Sequence, residues 1–124
     1  MGHVYAEIRV ASVKVPSPVL SKPIRVMVDS GATFTQLPAA LLDKAGVPRL
    51  REVKLTLADG RRIVRSVGPA LVKVNGSIVT CDVIFAEKGD APLLGVITLE
   101  AAGLAIDPVA RRLVHTPFVQ FRIR

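Results

Sequence analysis

The side chain whose surroundings most suggest chemistry is the carboxylate of Asp29. It directly follows a short apolar run, 24–28, and the residues after it are small, beginning with Ser30 and Gly31. Small residues let the backbone turn tightly and let another segment approach closely. A carboxylate in such a loop is a candidate for acid–base chemistry. The structural alternative is a turn between two strands, where Asp-Ser-Gly is also common.

Valine and isoleucine occur in short runs separated by turn residues, a pattern that predicts a mainly β fold around this loop. Strand-like segments cover 4–15, 24–28, 33–37, 53–57, 63–64, 71–74, 78–85, 92–95, 104–108 and 112–115. Two short helices are predicted over 38–46 and 97–103. The pair Asp59-Gly60 predicts a type I′ hairpin turn, Asn75-Gly76 predicts a second hairpin, and apolar residues alternate again from Val119 to Ile123.

The composition fits one compact domain over residues 1–124 and excludes several other classes. Half of the residues are hydrophobic, so the chain is neither disordered nor of low complexity. No apolar run approaches the about 18 residues of a membrane span, and the first residues lack the layout of a signal peptide. A single cysteine, Cys81, excludes an internal disulfide and a multi-cysteine metal site. We expect a cytoplasmic protein with no metal, cofactor or membrane partner.

The charge and the scarcity of some residue types carry weaker information. The formal net charge of +7 fits nucleic acid, an acidic partner or solubility alone. The basic residues form no dense block, and with four Phe, one Tyr and no Trp few side chains can stack on bases, so nucleic acid is the less favoured partner. Only one Asn, two Gln, two Met and one Cys occur, a bias typical of proteins from hot environments.

Three features together resemble the retropepsin-like (retroviral-type) aspartic proteases, and most closely the single-domain members of bacteria and archaea. The run Val-Met-Val-Asp-Ser-Gly-Ala-Thr over 26–33 is similar to the active-site loop of that family. The hairpin turn at 58–61 falls where the family's flap falls. Leu93-Leu94-Gly95 falls where the strand beneath the active site falls, and the order and spacing agree along 4–114.

The resemblance implies a closed, barrel-like β fold and an aspartic endopeptidase. In this family, peptide hydrolysis needs two carboxylates that share one proton, one acting as base on a water molecule and the other as acid on the carbonyl oxygen. The sequence holds one Asp-Ser-Gly, and its other aspartates lack that context. A second copy must therefore supply the second carboxylate, with two Asp29 residues meeting on the two-fold axis of a homodimer.

The resemblance also implies roles for the neighbouring residues. Ser30 would hydrogen-bond across the axis to the partner's loop, and Gly31 would let a backbone amide approach Asp29 and the substrate. An extended protein or peptide substrate would bind to two groups, Ala32 and Thr33 in the loop and Ala58, Asp59, Gly60 and Arg61 in the flap. The loop would be supported from beneath by Leu93, Leu94 and Gly95, the glycine leaving room for it.

Two features depart from the family's pattern and leave a second interpretation open. Retroviral members carry a basic residue soon after the apolar-apolar-Gly motif, whereas Val96-Ile97-Thr98 follows here, so the dimer contacts must differ. The flap tip has no aromatic residue and is followed directly by Arg61-Arg62. The alternative function is a catalytically silent module of the same fold that dimerises or binds a peptide. The intact Asp29-Ser30-Gly31 favours the enzyme.

Overall fold

The computed structural model describes residues 3–14 and 18–120, and strands dominate these ranges. The elements in chain order are β1 (Val4–Ser12), β2 (Ile24–Val28), β3 (Thr35–Pro38), α1 (Ala39–Ala45), β4 (Arg51–Thr56), β5 (Arg62–Val74), β6 (Ser77–Ala86), β7 (Leu93–Leu94), α2 (Val96–Ala102), β8 (Leu104–Asp107) and β9 (Arg112–His115). No helix in the described ranges is long and apolar enough to cross a membrane.

Six strands close into a barrel. The main sheet has the order β1-β2-β7-β3-β6-β5-β4, and β1 also pairs with β5, which completes the ring and leaves β4 as an arm on β5. Strands that are buried on one face place alternate residues inside, and the interior is filled by fully buried side chains such as Ile8, Val72, Phe85 and Leu94. The expectation of a mainly β, closed barrel-like fold with two short helices is confirmed.

Strand β5 belongs to two structures at once. Its first half, through Val67, pairs with β4 to form a hairpin, and from Ala70 onward it pairs with β1. We predicted two separate strands, whereas the chain runs continuously through Gly68-Pro69. Proline is tolerated there because residues 68 and 69 lie after the last pair with β4 and before the first pair with β1. Among the described residues, β6 is the one strand that pairs with them.

The two predicted hairpin turns differ in type. Asn75 and Gly76 both have positive φ, 49° and 79°, and they join β5 to β6 as a two-residue type I′ turn. The prediction of a type I′ turn at Asp59-Gly60 is wrong, because only Gly60 has a positive φ, 85°. The Gly60 amide donates to Leu57 O at 2.9 Å, and Leu57 N donates to Arg61 O at 2.8 Å. This is the three-residue loop in which the glycine follows the turn instead of forming part of it.

The helices and the last strand pair lie where they were predicted, with small shifts at their ends. Each helix ends at a glycine in the left-handed region, Gly46 with φ 83° and Gly103 with φ 64°. The first strand ends at Ser12 and not at residue 15, and β3 begins at Thr35, two residues later than predicted. The alternation after residue 118 forms no strand through Gln120, and residues 121–124 lie outside the described residues.

Gly68 lies at the joint between the barrel and the arm, where there is no room for a side chain. A Cβ at this position would overlap the carbonyl oxygen of Pro48. Because a backbone atom cannot move aside cheaply, we expect Gly68→Ala to lower the free energy of unfolding by about 3 kcal/mol, measured by urea denaturation. Gly89→Ala is the control, since its Cβ meets nothing within 4 Å and only its φ of 93° is unfavourable, a cost of about 1 kcal/mol. Equal losses in the two variants would contradict the close contact at Gly68.

Candidate active site

The Asp29 loop, residues 29–34, joins β2 to β3 and crosses the end of the short strand β7. Strand β7 lies between them, parallel to β2 with Val28 opposite Leu94, and antiparallel to β3 with Gln36 opposite Leu93. The Asp29 amide donates to the carbonyl oxygen of Leu94 at 2.9 Å. Strand β7 therefore determines where Asp29 leaves the sheet.

The residues that follow β7, at the start of α2, hold the other end of the Asp29 loop. The amides of Val96 and Ile97 donate to the carbonyl oxygens of Ala32 and Thr33 at 2.8 and 3.0 Å. Between these contacts, a Cβ on Gly95 would overlap the backbone of Phe34 and would lie 2.9 Å from Ala32 O. The structure thus brings together the Asp29 loop and Leu93-Leu94-Gly95, although Asp29 and Leu93 are 64 residues apart in the sequence.

Within the loop, one backbone amide orients the carboxylate and a second closes the turn. The Gly31 amide donates to Asp29 Oδ1 at 2.8 Å, and the Ala32 amide donates to Asp29 O at 3.1 Å. A Cβ on Gly31 would lie 3.2 Å from Asp29 Oδ1, a tight contact. Asp29 is partly buried, whereas Ser30 and Thr33 are exposed. The carboxylate is consequently held by the loop backbone, while Ser30 and Thr33 beside it stay exposed.

Asp29 also differs from four of the other five aspartates in its partners. These four form ion pairs with arginine, namely Asp43 with Arg49, Asp59 with Arg61, Asp82 with Arg51 and Asp90 with Arg65. The fifth, Asp107, accepts the amides of Val109 and Ala110 in its own turn. Among the residues that the structure describes, no ion pair involves Asp29. Its charge is therefore available for chemistry.

A buried hydroxyl pair beneath the loop was not singled out from the sequence. Thr35 and Thr98 are both fully buried, and their Oγ1 atoms lie 2.6 Å apart. Thr35 Oγ1 accepts the Gly95 amide at 3.0 Å, and Thr98 Oγ1 lies 3.3 Å from Cys81 Sγ. Burial raises the pKa of the Cys81 thiol, and the hydrogen bond with Thr98 opposes that shift. The only signal in the sequence is that Thr35 shares the inward face of a strand with Leu37, where a hydroxyl needs a partner.

The turn at Ala58-Asp59-Gly60-Arg61 is exposed and is held by its own contacts. Asp59 accepts the Arg61 amide at 3.0 Å and pairs with the Arg61 guanidinium at 2.7 Å. Both contacts lower the pKa of Asp59, the hydrogen bond from the amide more than the one from the guanidinium. In the described part of the chain, no hydrogen bond joins this turn to the Asp29 loop. A single chain therefore does not bring the predicted flap residues onto Asp29.

The hairpin nevertheless has two distinct faces. Val53, Leu55, Leu57 and Ile63 are partly buried, whereas the alternate positions along both strands are exposed. The register places Leu55 opposite Ile63 and Val53 opposite Arg65, so these residues share one face. That face is directed towards the body of the protein, because Arg65 contacts Asp90 in the loop before β7.

Comparison with known proteins places these features in one family. A family model described as "gag-polyprotein putative aspartyl protease" matches residues 15–101. The matched segment includes the Asp29 loop, the β4–β5 hairpin and Leu93-Leu94-Gly95. The search of curated proteins gave no match.

The hydroxyl pair makes a prediction about the support of the loop. Thr35→Val keeps the shape of the side chain but leaves the buried Gly95 amide and the Thr98 hydroxyl without their partner. We expect a loss of about 1–3 kcal/mol in the free energy of unfolding, measured by urea denaturation. Thr33→Val, on the exposed side of the same loop, is the control and should change stability little. If both variants unfold at the same urea concentration, the buried hydroxyl pair does not support the loop.

Proposed function

The chain belongs to the retropepsin-like aspartyl protease family, and we propose that it is an aspartic endopeptidase that acts as a homodimer with one Asp29 from each chain. The observation that carries this proposal is the setting of Asp29. Its carboxylate accepts the Gly31 amide at the end of β2, whose Val26 and Val28 are buried in the core, and among the described residues no arginine neutralises it. Asp107 also has no arginine partner there, but it lies at the turn of the separate two-stranded sheet β8–β9.

The proposed reaction needs both Asp29 residues. Two carboxylates about 3 Å apart on a two-fold axis cannot both ionise easily, so the pair holds one proton. The ionised carboxylate takes a proton from a water molecule, whose oxygen attacks the carbonyl carbon of the peptide bond. The protonated carboxyl donates its proton to the carbonyl oxygen, which gives a tetrahedral diol. The carboxyl that took the proton of the water then passes it to the amide nitrogen, and the C–N bond breaks to release the two products. Because the Gly31 amide occupies Asp29 Oδ1 at 2.8 Å, we assign Oδ2 to the contact with the water and the substrate.

The need for a second chain follows from the inventory of carboxylates. The sequence has one Asp-Ser-Gly. Four of the other five aspartates pair with arginine, and Asp107 lies outside the barrel, at the turn of the β8–β9 sheet. Ser30 is exposed at the tip of the loop. There its hydroxyl can hydrogen-bond to the partner's loop and fix the two carboxylates relative to each other.

The substrate is an extended protein or peptide segment that lies between the Asp29 loop and the hairpin. Ala32 and Thr33 bound it on one side, and the turn from Ala58 to Arg61 covers it on the other by pairing with its backbone. On the inward face of the hairpin, Leu55 and Ile63 lie side by side, next to Arg65, whose charge is paired with Asp90. Apolar substrate side chains fit against Leu55 and Ile63.

Three further predictions from the sequence accompany this proposal. We propose that residues 1–124 form one domain and that the chain belongs to the bacterial and archaeal branch of the family. We also propose a cytoplasmic location, which the single unpaired Cys81 supports because disulfides are rare in that compartment.

Asp29→Asn should abolish hydrolysis of an unfolded protein substrate, since an amide can neither accept nor donate the proton in this reaction. The wild type should show a bell-shaped rate profile over about pH 3 to 7, with both limbs belonging to the carboxyl pair, and a pepstatin-type transition-state mimic should inhibit it. Asp43→Asn is the control, because Asp43 is exposed and paired with Arg49, and it should retain the wild-type profile. Ser30→Ala should lower the rate less than Asp29→Asn.

Three outcomes would contradict the proposal. The first is an Asp29→Asn variant that remains as active as the wild type, which would leave Asp-Ser-Gly as a turn. The second is inhibition by serine- or metal-directed reagents and not by the transition-state mimic. The third is a folded wild type with no hydrolytic activity at any of these pH values, which would favour the catalytically silent module.

A further inference from the structure

Arg65 and Asp90 form the most buried ion pair of the described chain. Their side chains are 16% and 17% exposed, whereas every partner in the other Arg–Asp pairs is at least 36% exposed. Arg65 Nε donates to Asp90 Oδ2 at 2.7 Å, and Arg65 Nη2 donates to Asp90 Oδ1 at 3.0 Å. Two parallel hydrogen bonds of this kind fix the relative orientation of the two groups as well as their distance.

The loop that carries Asp90 is folded around the guanidinium. Asp90 Oδ2 also accepts the Glu87 amide at 2.8 Å, and the Asp90 amide donates to Glu87 O at 2.9 Å. The Glu87 carboxylate lies 3.9 Å from Arg65 Nη1, which in turn donates to Val64 O at 2.9 Å. The turn and the side chain therefore form one unit, and loss of either member frees the other.

This unit connects the two parts of the proposed active site. Arg65 lies in the hairpin half of β5, opposite Val53 and two residues before the last pair with β4. Asp90 lies three residues before Leu93 of β7, on which the Asp29 loop rests. The hairpin has few other anchors, since none of the six residues of β4 is fully buried.

We propose that Arg65 is a positioning residue, which holds the β4–β5 hairpin at the angle needed to cover a substrate and uses Asp90 as its anchor on the loop before β7. The proposal rests on the proposed function, because the angle of the hairpin affects catalysis only if the hairpin covers a substrate. A residue with this role sets how tightly substrate is held and does not touch the reacting atoms.

The charges around the pair keep it intact under mildly acidic conditions. The hydrogen bonds from Arg65 lower the pKa of Asp90 below its ordinary value, and the Glu87 amide contributes in the same direction. A carboxylate with a lowered pKa keeps its stabilising contact above the ordinary pKa and loses it only as the pH falls through the lowered value. The other charged group at the pair, Glu87, lies on the same turn and faces Arg65. The anchor thus persists at mildly acidic pH, above the ordinary pKa of an aspartate.

The test separates positioning from general stabilisation. Arg65→Met and Asp90→Asn are compared with Arg51→Met and Asp82→Asn, which break an exposed Arg–Asp pair of the same chemistry at the base of the hairpin. Hydrogen exchange is followed by mass spectrometry on the full chain in an Asp29→Asn background, so that the result does not depend on catalysis. We expect amides of residues 52–63 to exchange about tenfold faster in the first two variants, with those of β2 unchanged. The control pair should leave both regions unchanged.

Kinetics on the otherwise wild-type chain provide the second readout. We expect KM for a peptide substrate to rise several-fold in Arg65→Met and Asp90→Asn while kcat changes little, which is the signature of lost uniform binding. Arg65→Lys keeps the charge but not the paired hydrogen bonds, so it should show an intermediate exchange rate, and it serves as the second variant if Arg65→Met does not fold.

The proposal is overturned if hairpin exchange is unchanged in the Arg65 and Asp90 variants, or if exchange rises equally in β2 and in the hairpin, which would mark the pair as a general stabiliser. A kcat loss with unchanged KM would also overturn it. If the wild type does not hydrolyse peptides, the proposed function fails, whereas the exchange experiment still decides whether the pair holds the hairpin.

Discussion

The close contact between the Asp29 loop and the segment 94–97 is the constraint on which the other features depend. Gly95 lies so near the backbone of Phe34 that a side chain cannot be accommodated. That proximity lets three backbone hydrogen bonds form across the contact, at 2.8 to 3.0 Å. A two-residue strand could not hold a loop by burial alone. Together with the hydroxyl of Thr35 beneath Gly95, these bonds leave the carboxylate of Asp29 with little freedom to turn away.

The proposed site needs a rigid side, which the barrel provides, and an open side, which the hairpin arm provides. The barrel closes because β5 pairs with β1 as well as with β6, which removes a free sheet edge. The hairpin arm consists of β4 and of the residues of β5 that precede Gly68, and its inward face is only partly buried. In the proposed function the substrate covers this face, and the Arg65–Asp90 pair links the hairpin to the loop before β7.

Features that depend on neighbouring residues could be predicted from the sequence, whereas features that depend on distant partners could not. The type I′ turn at Asn75-Gly76 was predictable, because two adjacent residues that tolerate positive φ are enough to specify it. The continuity of β5 through Pro69 was not, since it depends on which strands lie beside that residue. The Thr35–Thr98 hydrogen bond joins residues 63 apart, and the Arg65–Asp90 pair joins residues 25 apart. The proximity of Asp29 to Gly95 was expected only from the resemblance to a family.

The central claim is that the reaction needs one Asp29 from each of two chains, and subunit mixing tests it most directly. Wild-type chains and Asp29→Asn chains are mixed at constant total concentration, allowed to exchange, and assayed against an unfolded protein substrate. If both carboxylates are required, activity follows the square of the wild-type fraction and falls to about a quarter in an equal mixture. If activity instead follows the wild-type fraction in direct proportion, so that an equal mixture keeps about half, each chain acts alone and the shared carboxyl pair is contradicted.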